Sequence, residues 1–180
     1  DKTIAVVGNA SSIFNKEHGK DIDSNDIVIR FNRGFINNIK SQGSKINVWV
    51  GACYEKERNI NKNFNPEIII WTDDDLISIP NYSKNFMKKM FFYSKNYYNE
   101  LLCNIGIKNK VTTGVRILDF LIRHTEAKKI SIYGFDFFET NSFYNKESLE
   151  YIHKNKPHVF NIEKEYIIKL IKENPTVNIN

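Results

Sequence analysis

The feature that most constrains this chain is a series of short, almost unbroken apolar runs: IAVV at 4–7, IVIRF at 27–31, INVWV at 46–50, EIIIW at 67–71 and KISIY at 129–133. A strand with one wet face alternates apolar and polar residues, so runs apolar at successive positions imply burial on both faces. Asn, Gly, Asp or Pro bounds each run, which ends strands in turns. Strands are therefore predicted at 3–8, 27–31, 46–50, 67–71 and 129–133. The implied class is α/β: a single Rossmann-like domain over 1–180, with a mostly parallel sheet and helices on both faces. No internal repeat and no Gly/Ser/Pro-rich linker divides the chain.

Helical periodicity places one helix at 114–124, with Val115, Leu118 and Leu121/Ile122 on its apolar face. A second is predicted at 161–173, with Ile162, Tyr166/Ile167 and Leu170/Ile171. Residues 82–107 are rich in aromatics and Lys and have no clear phase; two helices or a flap both fit.

Two turns matter for function. The first run ends in Gly8-Asn9-Ala10-Ser11-Ser12, and the 114–124 helix opens with Thr112-Thr113-Gly114. A helix start presents unpaired N–H groups and the positive end of the helix dipole. In open α/β sheets ligands bind beyond the carboxyl ends of the strands. Together the turns predict one crevice for an anionic, nucleotide-like ligand. Taken singly, Thr and Gly are ordinary caps, Asn9 is a polar turn residue and Asn32 a strand terminator.

The formal net charge of +5 comes from lysines scattered through the chain, which suggests anionic company without naming it. A nucleotide-sugar, an anionic glycolipid surface and nucleic acid all fit. Cys53 and Cys103 have no CxxC or Cys/His metal spacing, so each is expected to be a buried thiol in a reducing cytoplasm. Neither a signal-peptide pattern nor an apolar run of about 18 residues occurs, so membrane contact is expected to be peripheral at most.

The segment VVGNASSI…KDIDSNDIVIRFNRG resembles the long sialylmotif of sialyltransferases, with its Gly-Asn turn and a strand ending in Arg-x-Asn. TTGVRILDFLIRHTEAKKISIYGFDF resembles their small sialylmotif, and His158-Val-Phe-Asn-Ile-Glu163 fits the very short His-x4-Glu motif. The three occur in the family's order. Bacterial CMP-sialic acid transferases are also similar. The resemblance implies a GT-A-like sialyltransferase variant that takes a cytidine monophosphate (CMP) sugar donor and a glycan or glycolipid acceptor, at the inner membrane face, with no cofactor and no metal. It assigns Gly8, Asn9, Asn32, Thr112, Thr113 and Gly114 to the nucleotide and makes His158 the general base. Asn offers donor and acceptor together, and Gly permits close backbone approach.

Transfer to a hydroxyl with inversion needs such a base, and an imidazole suits it. On its own, His158 after Pro157 reads as a capping or surface residue, and Glu163 as a first-turn acid that complements the helix dipole. By the resemblance Glu163 orients the imidazole or a backbone amide. Tyr144 is the positional match for a donor to the leaving phosphate, and Lys110 sits where bacterial relatives place an Arg. Phe138 stands where they carry a second Tyr, so that hydroxyl is missing; His153 is a weaker substitute. The positions that animal relatives join by a disulfide are Ile4 and Ala127, apolar replacements expected to pack together.

Asp73-Asp74-Asp75 mimics a metal-binding Asp-x-Asp, but a CMP-sugar has a single phosphate, so a polar loop is expected. The donor sugar is open among sialic acid, Kdo and legionaminic acid. A non-catalytic CMP-binding domain is a further alternative, and an RNA-binding domain is disfavoured because no RNP-like pattern accompanies the lysines. Acceptor recognition is expected from residues 82–107 and 139–157.

Overall fold

A computed structural model describes residues 2–52, 55–73, 79–145, 147, 149–155 and 158–180. Cys53, Asp74, Asp75 and Pro157 lie outside the described residues. The strands are β1 (Thr3–Val7), β2 (Ile27–Phe31), β3 (Val48–Gly51), β4 (Ile68–Trp71), β5 (Met90–Phe92), β6 (Lys129–Tyr133) and β7 (Val177–Ile179). They form one seven-stranded sheet in the order β5-β4-β3-β2-β1-β6-β7. Every pairing is parallel.

The helices are α1 (Gly19–Asp23), α2 (Ile39–Gln42), α3 (Glu57–Asn63), α4 (Lys84–Met87), α5 (Lys95–Ile105), α6 (Thr113–His124), α7 (Leu149–Asn155) and α8 (Phe160–Glu173), with a 3-10 turn at Ser11–Asn15. Because strand side chains alternate, the two faces of β1 serve two cores. Ile4 and Val6 pack with Leu101 of α5, Val115 and Leu118 of α6 and Ile167 of α8. Ala5 and Val7 pack with Ile13 and Ile22 on the opposite face. Trp49, Ile69 and Trp71 extend that second face against Ile60 of α3 and Phe86 of α4. Each such buried side chain contributes roughly 1.5–3 kcal/mol of transfer free energy, and both faces are covered, as the apolar runs require.

The chain lays down β1 to β5 outward in one direction, then returns to place β6 on the other side of β1. The strand order therefore reverses between β1 and β6, and their carboxyl ends, at Gly8 and Gly134, flank the crevice that such a reversal opens. Ile4 and the half-buried Ala127 belong to the same apolar cluster.

Several sequence readings need correction. β3 begins at Val48 rather than 46, because the side-chain oxygen of Asn47 accepts the Val28 amide at 2.9 Å and takes over the ladder contact. Residues 82–107 are neither two helices alone nor a flap: they form α4, the edge strand β5 and α5. α5 is capped by Ser94, whose hydroxyl accepts the Asn96 amide, and ends at Gly106 with φ 76°. β7 was not foreseen. Cys103 is exposed rather than buried, because only Tyr98 and Leu101 of α5 reach the core fully. No helix among the described residues is long and apolar enough to cross a membrane.

Candidate active site

The crevice between β1 and β6 is a cavity of about 510 Å³, within the range of small-ligand pockets. Gly8, Asn9, Asn32, Lys110, Thr112, Thr113, Gly114, Tyr144, His158 and Glu163 all line it. The sequence-assigned residues thus meet in one place, drawn from five separate stretches of chain.

The two glycine turns are locked by a residue the sequence did not single out. A Cβ on Gly8 would lie 2.3 Å from the Gly134 carbonyl and 2.7 Å from the Phe135 ring, and one on Gly114 would lie 2.5 Å from the same ring. Phe135 is wedged between the turns, edge-on to Phe31 at 5.8 Å. Both glycines are there for close approach.

Asn9 donates from Nδ2 to the Phe31 carbonyl at 3.1 Å and reaches the Tyr144 hydroxyl at 3.5 Å. Asn32 adopts the left-handed region at φ 48°, which Asn tolerates better than most residues. Its Oδ1 accepts the Ala52 amide at 3.0 Å. The Arg30 of the same motif does not reach the cavity. Its guanidinium is buried, bonds the carbonyls of Gln42 and Lys45, and is pushed down to about 10 by desolvation, with Asp23 opposing.

The loop before α6 carries the remaining contacts. Thr112 is the N-cap, yet its hydroxyl caps nothing in α6. It donates instead to Glu163 Oε2 at 2.6 Å, and its amide donates to both oxygens of the same carboxylate. Glu163 is 1 % exposed. Burial pushes its pKa above the ordinary value, and the Thr112 donors oppose that shift. His158 Nδ1 lies 2.6 Å from the Lys110 carbonyl and 3.8 Å from Glu163 Oε1. A carbonyl only accepts, so Nδ1 carries the proton and the lone pair of the neutral ring falls on Nε2. Glu163 thus does two jobs. It fixes the Thr112 amide and stands beside the imidazole.

Arg116 supports this loop from beneath and was also missed. Its guanidinium bonds the Val111 carbonyl at 3.1 Å and the Thr72 carbonyl at the end of β4, and lies 3.9 Å over the Tyr98 ring. Only a buried Arg with carbonyl partners would signal this role, and sequence pattern alone does not reveal burial. The Lys110 ammonium lies 3.5 Å from Asp73, and both line the cavity.

After β6 the chain turns sharply, with positive φ at Phe137 (53°) and Phe138 (65°). Such angles are rare for aromatic residues and mark a turn held by its surroundings. Asp136 holds it, with Oδ2 accepting from Ser12 Oγ at 2.9 Å and from the amide and hydroxyl of Thr140. Phe138 lines the cavity without a hydroxyl to offer. His153, the suggested substitute, is not among the lining residues; it lines a neighbouring cavity, with Nε2 3.1 Å from the Phe138 carbonyl. Among the described residues no cluster of three His, Cys, Asp or Glu side chains has metal-binding geometry.

Comparison with known proteins finds relatives of the fold and of its N-terminal segment. Residues 2–51 match the family model described as glycosyltransferase family 29 (sialyltransferase), a span that includes the Gly8-Asn9 turn and the Arg30-x-Asn32 strand end. A search of the curated proteins finds no match. Solved structures with the same fold include a mammalian sialyltransferase at TM-score 0.70 and 17% identity, covering 99% of this chain and 68% of that one. The sialyltransferase CstII from Campylobacter jejuni, with the substrate analogue CMP-3FNeuAc, matches at TM-score 0.66 and 16% identity, covering 99% and 81%. CST-II with a trisaccharide acceptor and CMP matches at TM-score 0.63 and 17% identity, covering 99% and 80%. The resemblance read from the sequence therefore extends to the fold of the whole chain.

Proposed function

We propose that this chain is an inverting, metal-independent glycosyltransferase that moves sialic acid from CMP-sialic acid to a hydroxyl of a glycan or glycolipid acceptor. The observation that carries the reading is the convergence of His158, Glu163 and the Thr112–Gly114 helix start on the cavity that also holds Asn9 and Asn32. CMP occupies the β1/β6 end, held by the Asn9 and Asn32 amides. The first amides of α6, which have no acceptor within the helix, face the anionic end of the donor.

In the reaction, His158 Nε2 takes the proton of the acceptor hydroxyl as its oxygen bonds to the anomeric carbon. The bond from that carbon to the phosphate oxygen breaks with inversion, and CMP leaves with the electron pair. The Nδ1–H bond to the Lys110 carbonyl holds the required tautomer, and the ionised Glu163 stabilises the imidazolium as it forms. Tyr144 and Lys110 supply donors to the leaving phosphate. In the resting arrangement Lys110 is paired with Asp73, and a phosphate would compete for it.

The donor sugar is proposed as sialic acid, with Kdo and legionaminic acid as alternatives of the same chemistry. A CMP-binding domain without turnover is the second reading, and it is favoured by one feature, the absence of a hydroxyl at Phe138. We place the protein in the cytoplasm, at the inner membrane face, acting without nucleic acid. The test is release of CMP from CMP-sialic acid, CMP-Kdo and CMP-legionaminic acid in the presence of EDTA, with lactoside and glycolipid acceptors. Turnover with a CMP-sugar supports the proposal. Turnover that appears only when Mn²⁺ replaces EDTA, or only with a nucleoside diphosphate sugar, overturns it.

A further inference from the structure

We propose that the β5 edge of the sheet docks on an anionic lipid surface. Among the described residues β5 is the outermost strand, paired only with β4. Phe91 is 60% exposed and Phe92 50%, and Met87 at the end of α4 and Ile68 at the head of β4 add further exposed apolar surface. Successive strand residues point to opposite faces. Phe91 and Phe92 therefore flank the edge on both sides, leaving a blade of apolar surface at the rim of the molecule.

The segment that carries this blade bears charge of one sign. Residues 79–99 contain Lys84, Lys88, Lys89 and Lys95 and no Asp or Glu. Lys84, Lys88 and Lys95 are exposed, whereas Lys89 donates to the Pro66 carbonyl at 3.0 Å. Acids from packed elements also border the region among the described residues: Asp73 falls at the register position opposite Ser94 and is paired with Lys110. Glu57 accepts the amide and hydroxyl of Ser83, and the exposed Glu67 falls at the register position opposite Lys88. The excess is positive.

Lysines on an edge strand discourage edge-to-edge pairing, which would account for the charge alone. It does not account for two phenylalanines left largely in water beside it. Exposed aromatics ringed by lysines are what a surface needs to insert shallowly at the headgroup boundary and attract acidic lipids. The position also suits the chemistry. Strands in the sheet are parallel, so the Phe92 end of β5 lies on the same side as the cavity mouth, and four strand spacings put it about 19 Å from β1. An edge resting on the membrane would hold the cavity within reach of a lipid-linked saccharide. That last clause rests on the proposed activity; the docking surface does not.

The test is co-sedimentation of the protein with vesicles of phosphatidylcholine, alone or mixed with phosphatidylglycerol, at low and high salt. The expected result is binding to the mixed vesicles that weakens with salt. Phe91→Ser with Phe92→Ser should lower partitioning about tenfold or more, and Lys88→Ala and Lys95→Ala about fivefold each. These positions are exposed, and a CMP-induced rise in thermal midpoint equal to that of the unaltered protein would show that the variants are folded. The proposal is overturned if the protein ignores mixed vesicles, or if the Phe variants bind them equally. It is also overturned if the edge proves to be a dimer contact that these variants split, or if RNA rather than lipid binding depends on them. Absence of any CMP response in the unaltered protein would instead count against the donor site and leave the vesicle result intact.

Discussion

Two carboxylates buried between α6 and α8 make an instructive pair. Glu163 and Tyr166 lie one turn apart on α8; Glu163 meets Thr112 at the start of α6, and Tyr166 meets Asp119 within α6. Each carboxylate accepts one short hydroxyl bond, at 2.6 Å from Thr112 and 2.5 Å from Tyr166. Burial raises the pKa of both above the ordinary carboxylate value. Yet of the two only Glu163 borders the cavity, where it stands beside the His158 imidazole; the imidazole near Asp119, His124, is outside that cavity's lining. Asp119 is 0% exposed, its nearest cation is Arg123 at 3.6 Å, and Arg123 is in turn held by Glu100. A perturbed carboxylate marks burial; a cavity and a second reactive group beside it mark a site.

The sharpest separation of the two regions comes from His158→Ala. Turnover should fall about 10²–10⁴-fold, the worth of a positioned base, while the thermal shift with CMP is retained. Retained turnover would remove His158 from the chemistry and dissolve the contrast between the two carboxylates.

Glu163→Gln should have the next largest effect, up to about 10³-fold in kcat, since a unit charge at this separation and an intermediate dielectric stabilises the imidazolium by no more than that. It should also change two pH profiles. The folded pKa of Glu163 lies above its ordinary value of 4.5, so the native state holds this proton to higher pH than the unfolded chain does. Stability therefore falls as pH rises from 4.5 through the folded value, and the Gln variant should lose that part of the slope. The acid limb of kcat set by Glu163 should vanish with it. Unchanged stability and activity profiles would show that Glu163 is no more than a helix-start acid.

Tyr166→Phe is the smallest of the three on activity and acts in the other region. Removing the hydroxyl leaves Asp119 Oδ1 without its donor and should cost about 1–3 kcal/mol of stability in denaturant unfolding. kcat should not move. A fall in kcat comparable to that of Glu163→Gln would mean that the two carboxylates act as one network.

The same division runs through what the sequence made legible. β1, β2 and β6 were readable because central strands buried on both faces must be apolar at almost every position, as Ala5, Val6, Ile29 and Ile132 are. β5 and β7 escaped because edge strands of three residues carry no such demand: Phe91 sits in water beside lysines, and Asn178 interrupts β7. α5 escaped for the related reason that only Tyr98 and Leu101 are fully buried, too few to set a phase.

In the site, the residues named by motif came together because their turns terminate neighbouring strands or begin the helix facing them. The supporting groups did not announce themselves. Phe135 reads as one more aromatic in GFDFF, and its ring between two glycines is a property of packing. Arg116 reads as a polar position on an amphipathic helix until Thr72 and Val111 are found around it. The positive φ at Phe137 and Phe138 runs against residue preference, so local sequence argues for the wrong conformation there. His153 shows the converse: named as a substitute for the missing hydroxyl, it is placed by α7 at the neighbouring cavity.

The most direct measurement is thermal stability with EDTA present, comparing CMP with UMP, UDP, AMP and no ligand, since a ligand that binds only the folded state raises the midpoint by mass action. The account predicts a rise with CMP that UMP, UDP and AMP do not match, unchanged in His158→Ala. No rise with CMP, or a preference for UDP that requires restored Mn²⁺, would contradict it and turn attention to Asp73 and its neighbours as a metal-dependent site.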